Sequence, residues 1–271
     1  AGRHREVAFQ DHVEAVDPLA GTRVHLVRHG AGAGLAGGEA FAGRLVAGHQ
    51  AEQVASCCGR EADVRIALQQ EQLGTGHAVA CAMEQLAGLS GSVLILCGDT
   101  PLLTAATLQR LAAEHAASAA AVTVLTARID KPFGYGRIVR DADGRVRRIV
   151  EQKDAAPKEL AIDEVNSGIY CMDLAFLQAH IGRLGSENAQ NEYYLTDLVG
   201  IAVAEHVGCS AVVADDPDEI MGVNDRLQLA QAASLLRQRI NRELLLSGVT
   251  LVDPERTYID AGVQIGRDTV I

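Results

Sequence analysis

Apolar positions along the chain change period several times, and the changes predict alternating strands and helices. Val64 to Leu68 is a short strand candidate, and Val93 to Cys97 is a compact apolar run that reads as a buried strand. Between them, Val79, Ala82, Met83 and Leu86 fall at helical spacing after Gly76. Thr104 is placed to cap a helix with Leu108, Leu111 and Ala112 on one face. Val122 to Thr126 predicts the next strand. Arg137 to Glu151 reads as a hairpin with Asp143-Gly144 at its tip. A strand over Gly168 to Met172, a helix over Tyr194 to His206 and a strand over Ala211 to Ala214 follow. The last helix spans Asp225 to Leu246, with Leu229, Ala233, Leu236, Ile240 and Leu244 along one stripe. This alternation predicts an α/β fold with a mostly parallel sheet covered on both faces, and ligands gathered beyond the strand C-termini.

Two stretches depart from that texture. Residues 1–46 are rich in Gly, Ala, Arg and His and sustain neither period. In the tail, Ile259, Ile265 and Ile271 recur every six residues, which fits either the opening of a hexapeptide β-helix or chance spacing. The expected organisation is an irregular segment over 1–46, an α/β domain over 47–224, a linker helix over 225–250 and a β-helix start over 251–271. The chain begins at Ala1 and stops at Ile271 inside a pattern, which reads as a fragment.

Composition narrows the class. With 271 residues, 48% hydrophobic and 3% aromatic, the core must be aliphatic and alanine-rich, which suits helix-on-sheet packing. The formal charge of -11 and the lack of a long basic run argue against nucleic acid and anionic membranes as partners. Six cysteines with no C-x-x-C pair fit buried, reduced thiols of a cytoplasmic protein.

The chemistry concentrates in Gln69-Gln-Glu-Gln-Leu-Gly-Thr-Gly-His-Ala78 and Cys97-Gly98-Asp99. An amide such as Gln69 can meet the imide edge of a pyrimidine, and the Gly74 and Thr75 backbone amides can reach a base or a phosphate. The competing reading is a polar turn with Thr75 as a helix cap. Asp99, at a strand end, suits Mg²⁺, which takes one or two oxygen side chains plus substrate phosphates; as a solvated turn residue it would look the same. Asn224 is either a second oxygen ligand or a helix cap. Glu151 and Asn166 are polar groups at strand ends, suited to sugar hydroxyl and amide groups. His77 reads as a packing or capping residue rather than a ligand.

Eight ordered motifs then carry a resemblance: Gly48-His-Gln-Ala-Glu-Gln-Val54, Gln69 to Ala78, Gly98-Asp-Thr-Pro-Leu102, Gly134-Tyr-Gly-Arg-Ile138, Ile149-Val-Glu-Gln-Lys-Asp154, Glu164-Val-Asn-Ser-Gly-Ile169, Asn191-Glu-Tyr-Tyr-Leu-Thr-Asp197 and Gly222-Val-Asn-Asp-Arg-Leu-Gln228. From about Gly48 onward the chain resembles the bacterial bifunctional N-acetylglucosamine-1-phosphate uridyltransferase/glucosamine-1-phosphate N-acetyltransferases. The resemblance implies a Rossmann-like nucleotidyltransferase domain followed by a left-handed β-helix, with a homotrimer only where that helix is complete. It implies that UTP and N-acetylglucosamine 1-phosphate give UDP-N-acetylglucosamine, a precursor for peptidoglycan and lipopolysaccharide, and pyrophosphate. Gln69, Gly74 and Thr75 would bind uridine, with Cys97 and Gly98 among the substrate contacts. Asp99 and Asn224 would hold Mg²⁺, Asp99 as the catalytic residue. Gly136, Glu151 and Asn166 would contact the amino sugar.

One departure is large. The family opens with a loop resembling Leu-Ala-Ala-Gly-x-Gly-Thr-Arg-Met, then Pro-Lys, around the triphosphate. Here Ala1-Gly2 runs into Arg3-His4, and no Lys precedes Lys131. Read one base later, Arg and His codons can spell Gly-Thr, and Pro18-Leu-Ala-Gly21 matches a family segment. A frameshift or sequencing error across roughly residues 3–46 is the expectation, with a truly diverged N-terminus as the alternative and impaired transfer as the consequence; for function, a non-catalytic nucleotide-sugar-binding fragment or a relative with another substrate are the alternatives.

Overall fold

The computed structural model describes residues 24–29, 43–48, 51–58 and 64–271. Most of the segment expected to be out of frame, including Arg3-His4 and Pro18 to Gly21, lies outside them. The chain divides into two compact units, one of residues 20–220 and the other containing residues 221–271.

The first unit is built on one nine-stranded sheet. Its strands are β1 (Val24–His29), β2 (Gly43–Ala47), β3 (Val64–Leu68), β4 (Ser92–Cys97), β5 (Val122–Arg128), β6 (Arg137–Arg140), β7 (Val146–Val150), β8 (Glu164–Asp173) and β9 (Cys209–Val213). The order is β3-β2-β1-β4-β8-β5-β9, with the β6–β7 hairpin attached to β8. Helices α1 (Ala51–Cys58), α2 (Thr75–Ala82), α3 (Ala105–Ser118), α4 (Pro157–Leu160), α5 (Leu174–His180) and α6 (Asp197–Ala204) connect them.

The sheet is mixed, which corrects the expectation of a mostly parallel one. Among the described strands only the β2–β3 and β5–β9 pairs are parallel. Strands β1 and β8 run against both neighbours. A parallel return needs a crossover that packs along the sheet. The link from β5 to β8 holds only the β6–β7 hairpin and the four-residue α4, so β8 re-enters reversed. β2, β3, β4, β5 and β9 nonetheless point the same way, so their C-termini share one edge.

Both faces of the sheet are covered. Period-2 alternation sends Val93, Ile95, Val122 and Val124 into a core with α2, α5 and α6, and Leu94, Leu96 and Leu125 into a second core with Leu108 and Leu111 of α3. Thr104 caps α3, its hydroxyl accepting from the Thr107 amide at 3.2 Å. Helix α6 starts three residues later than its pattern predicts. Tyr193 and Leu195 are drawn out to bond the start of α2: the Tyr193 amide donates to the Leu73 carbonyl, and the Leu195 amide to the Thr75 hydroxyl.

The second unit holds α7 (Arg226–Ser247). Its expected apolar stripe is only partly covered; the fully buried helix positions are Ala232 and Asn241. Asn241 donates to the Pro254 and Thr257 carbonyls at 2.7 and 2.9 Å, tying the following segment to the helix. Beyond it, one parallel bridge joins Thr250 to Val270. No helix among the described residues is long and apolar enough to cross a membrane.

Candidate functional site

The shared C-terminal edge carries most of the predicted residues. Gln69 follows β3, and its amide donates to the Ala47 carbonyl at the end of β2. Cys97 ends β4, with Gly98 and exposed Asp99 just beyond. Successive strands lie about 4.8 Å apart, so the β3 end stands roughly 14 Å from the β4 end, with β8 one spacing further.

At the β3 end, Gln69 is almost fully buried, 2% exposed. Its Nε2 donates to the Gly74 carbonyl and to His77 Nδ1, both at 3.1 Å, while Oε1 is buried without a partner among the described residues. Gly74, not Thr75, occupies the helix cap, with φ at +102°. A side chain there would press to 2.8 Å from the Tyr193 carbonyl and from Glu192 Cβ, so this close approach requires glycine. The Thr75 hydroxyl is taken by the Leu195 amide, which corrects its reading as a cap. Among the described residues the Gly74 and Thr75 amides meet no protein acceptor, as the first N–H groups of a helix commonly do not.

At the β8 end the sequence misplaces Asn166. It lies inside the strand rather than before it, at the mouth of a β-bulge: Val124 pairs with Tyr170, but Thr126 pairs with Asn166. Such bulges re-aim side chains beside functional sites. Asn166 Oδ1 accepts from the Gly168 amide at 3.1 Å and from the buried Tyr170 hydroxyl at 3.0 Å. Gly168 adopts φ +78°, and its carbonyl accepts from Cys97 Sγ at 3.4 Å, linking the bulge to the β4 end. Burial, then the neighbouring Asp99 carboxylate, pushes the Cys97 thiol up to about 12, so it acts as an inert spacer.

Gly136 and Glu151 join this cluster. The Asn166 amide donates to the Gly136 carbonyl at 2.9 Å. A side-chain carbon on Gly136 would sit 3.2 Å from Glu151 Oε1, so the glycine leaves room for the carboxyl. Burial pushes the Glu151 carboxyl up; a hydrogen bond from Thr196 holds it back, and the Asp154, Asp197 and Glu192 carboxylates push it further. Tyr170, Gly168 and Thr196 were missed by sequence reasoning. A glycine between the largely polar stretch 164–167 and the apolar run that follows was the available signal for the bulge.

Asn224 belongs to the other unit and is exposed. It does not cap α7: Asp225 does, accepting from the Gln228 amide at 2.7 Å. The Asn224 backbone amide instead donates to Gln228 Oε1 at 2.6 Å. Asp99 is an exposed carboxylate at a strand end, a hard oxygen donor of the kind that Mg²⁺ takes alongside substrate phosphates. Among the described residues no group of three or more His, Cys, Asp or Glu stands ready to hold a metal ion.

The description Nucleotidyl transferase matches residues 45–217. The chain is 78% identical over 235 residues to the bifunctional protein GlmU of Trichlorobacter lovleyi, covering 86% of this chain and 51% of that relative. Identity to the bifunctional protein GlmU of Pelobacter propionicus is 64% over 227 residues, 84% of this chain and 49% of the relative. For Geobacter sulfurreducens the corresponding protein is 55% identical over 235 residues, 86% and 49%. The chain spans about half the length of the curated relatives it matches.

Proposed function

Because the chain belongs to the nucleotidyl transferase family, we propose that its C-terminal sheet edge binds UTP and N-acetylglucosamine 1-phosphate for uridylyl transfer, giving UDP-N-acetylglucosamine and pyrophosphate. One observation carries this reading: a buried, half-satisfied amide at Gln69 beyond β3 and a bulge-presented Asn166 on β8 stand on one edge, with Asp99 beyond β4, a strand between them. Uridine sits at Gln69, Gly74 and Thr75. The amino sugar sits at Gly136, Glu151 and Asn166, and the phosphates lie at Cys97, Gly98 and Asp99.

The sugar phosphate oxygen attacks the α-phosphorus in line and pyrophosphate leaves. The protein contributes position: two separate places on the edge, beyond β3 and at β8, fix base and sugar, which sets the attack geometry. Asp99 is the residue of this edge that would hold Mg²⁺, which would supply charge neutralisation on the phosphates. The segment that the motif comparison expects to wrap the triphosphate has no Gly-x-Gly-Thr-Arg loop and no Lys. Removing one preorganised donor to phosphoryl charge costs about 10²–10³ in rate, so transfer by this chain is impaired. The parallel bridge from Thr250 to Val270 supports reading residues 251–271 as the start of a left-handed β-helix.

A coupled pyrophosphate assay on this chain, and on one whose residues 1–46 are replaced by a phosphate loop of the family type, tests the reading. Slow release by the first and robust release by the second is expected. No release by either, with UTP or with other nucleoside triphosphates, contradicts it. The sequence departure over 1–46 favours one second reading, a non-catalytic nucleotide-sugar-binding fragment, for which the repaired chain also stays inactive while binding UDP-N-acetylglucosamine.

A further inference from the structure

We propose that His77 is a positioning residue that sets the nucleobase preference of the edge, by holding the Gln69 amide so that only its carbonyl oxygen faces a ligand. The inference rests on the uridine reading and deepens it.

The orientation follows from what each partner can do. The Gly74 carbonyl is an acceptor only, so the Gln69 atom 3.1 Å from it must be the NH₂ group. The same nitrogen lies 3.1 Å from His77 Nδ1, which must therefore accept. The imidazole proton is then on Nε2, which faces Cys81 Sγ at 3.8 Å, a weak acceptor. One consistent chain results: His77 donates to Cys81 and accepts from Gln69, and Gln69 also donates to Gly74. Both donors of the amide are spent. Among the described residues its Oε1 is left buried with no partner, facing Gly48, where a side-chain carbon would come within 3.5 Å. A buried lone acceptor of this kind favours a ligand N–H and penalises a second acceptor. The uracil N3–H meets that demand, and the bare cytosine N3 opposes it.

The test is calorimetry of UDP and CDP binding to the full chain and to His77→Phe and His77→Asn. The phenylalanine removes the acceptor; the asparagine carbonyl stands where Nδ1 stood. The UDP-over-CDP preference should fall by about 3- to 10-fold in H77F, the range set by one hydrogen bond, and return to within about 2-fold of the parent in H77N. A preference unchanged in H77F, or one lost equally in both variants, overturns the positioning role while leaving the uridine reading in place. A parent chain that binds UDP and CDP alike overturns the uridine reading itself. Ring ¹⁵N shifts of the unmodified chain give a check independent of variant folding: a protonated Nε2 and bare Nδ1 are expected, and the opposite tautomer refutes the lock.

Discussion

Replacing Gly168 by alanine tests the bulge that joins the two halves of the site. The position holds φ +78°, where a side chain costs about 1–2 kcal/mol in the left-handed region. The added carbon would also stand 2.7 Å from Cys97 Sγ, inside contact distance. Cys97 cannot move freely: it is packed at the end of β4 and its thiol donates to the Gly168 carbonyl. Overpacking of this kind costs about 1–3 kcal/mol. The sum is roughly 2–5 kcal/mol, read by urea denaturation and by melting. Removing the thiol separates the two contributions. In a Cys97→Ala background the steric part vanishes and the backbone part stays, so G168A should cost only about 1–2 kcal/mol there. A double-mutant cycle should therefore return a coupling of about 1–3 kcal/mol. Equal costs in the two backgrounds, within about 0.5 kcal/mol, would refute the proposed link between the bulge and the β4 end.

Two further outcomes follow from the site. The Glu151 carboxyl is held above its ordinary 4.5, so its contribution to stability is full at pH below that value and is lost as pH rises through the raised one. Glu151→Gln removes the loss, so its melting temperature relative to the parent should climb between pH 4 and pH 8; a flat difference contradicts the burial argument. Asp99→Asn should abolish the Mg²⁺-dependent part of UTP affinity, about 1–2 kcal/mol for an exposed charge near the water limit, and UTP affinity that responds equally to Mg²⁺ in both proteins would remove Asp99 from the metal site.

Much of the fold was legible because the apolar signal was undiluted. β3 spans the residues its pattern predicts, β4 and β5 differ from theirs only by a residue or two, and Thr104 caps the helix it was placed to cap. The failures have physical causes. The first half of β8 hides because its buried polar residues satisfy one another: Thr126 donates to Glu164 at 2.9 Å, Arg140 pairs with the same carboxylate, and Ser167 bonds the Leu125 carbonyl. Helix α5 is too short for its period to stand out, though Asp173 caps it by accepting from the Phe176 amide. Strand direction depends on how the link between strands packs, which the strand pattern itself does not carry. The candidate residues were legible as polar groups near strand and helix ends, except Asn166, which lies inside β8, but the capping roles were not visible: Gly74 caps α2, where Thr75 was one reading, and Asp225 caps α7, where Asn224 was one reading.

The most direct test of the account is a pair of ¹⁵N chemical-shift titrations of the full chain, one with UDP and one with N-acetylglucosamine 1-phosphate. The proposed division of the edge places the first response at Gln69, Gly74 and Thr75 and the second at Gly136, Glu151 and Asn166. Shifts in those two separate sets are the predicted result. Both ligands moving one common set outside the phosphate stretch Cys97 to Asp99, which both can reach, or neither reaching this edge, would contradict the account.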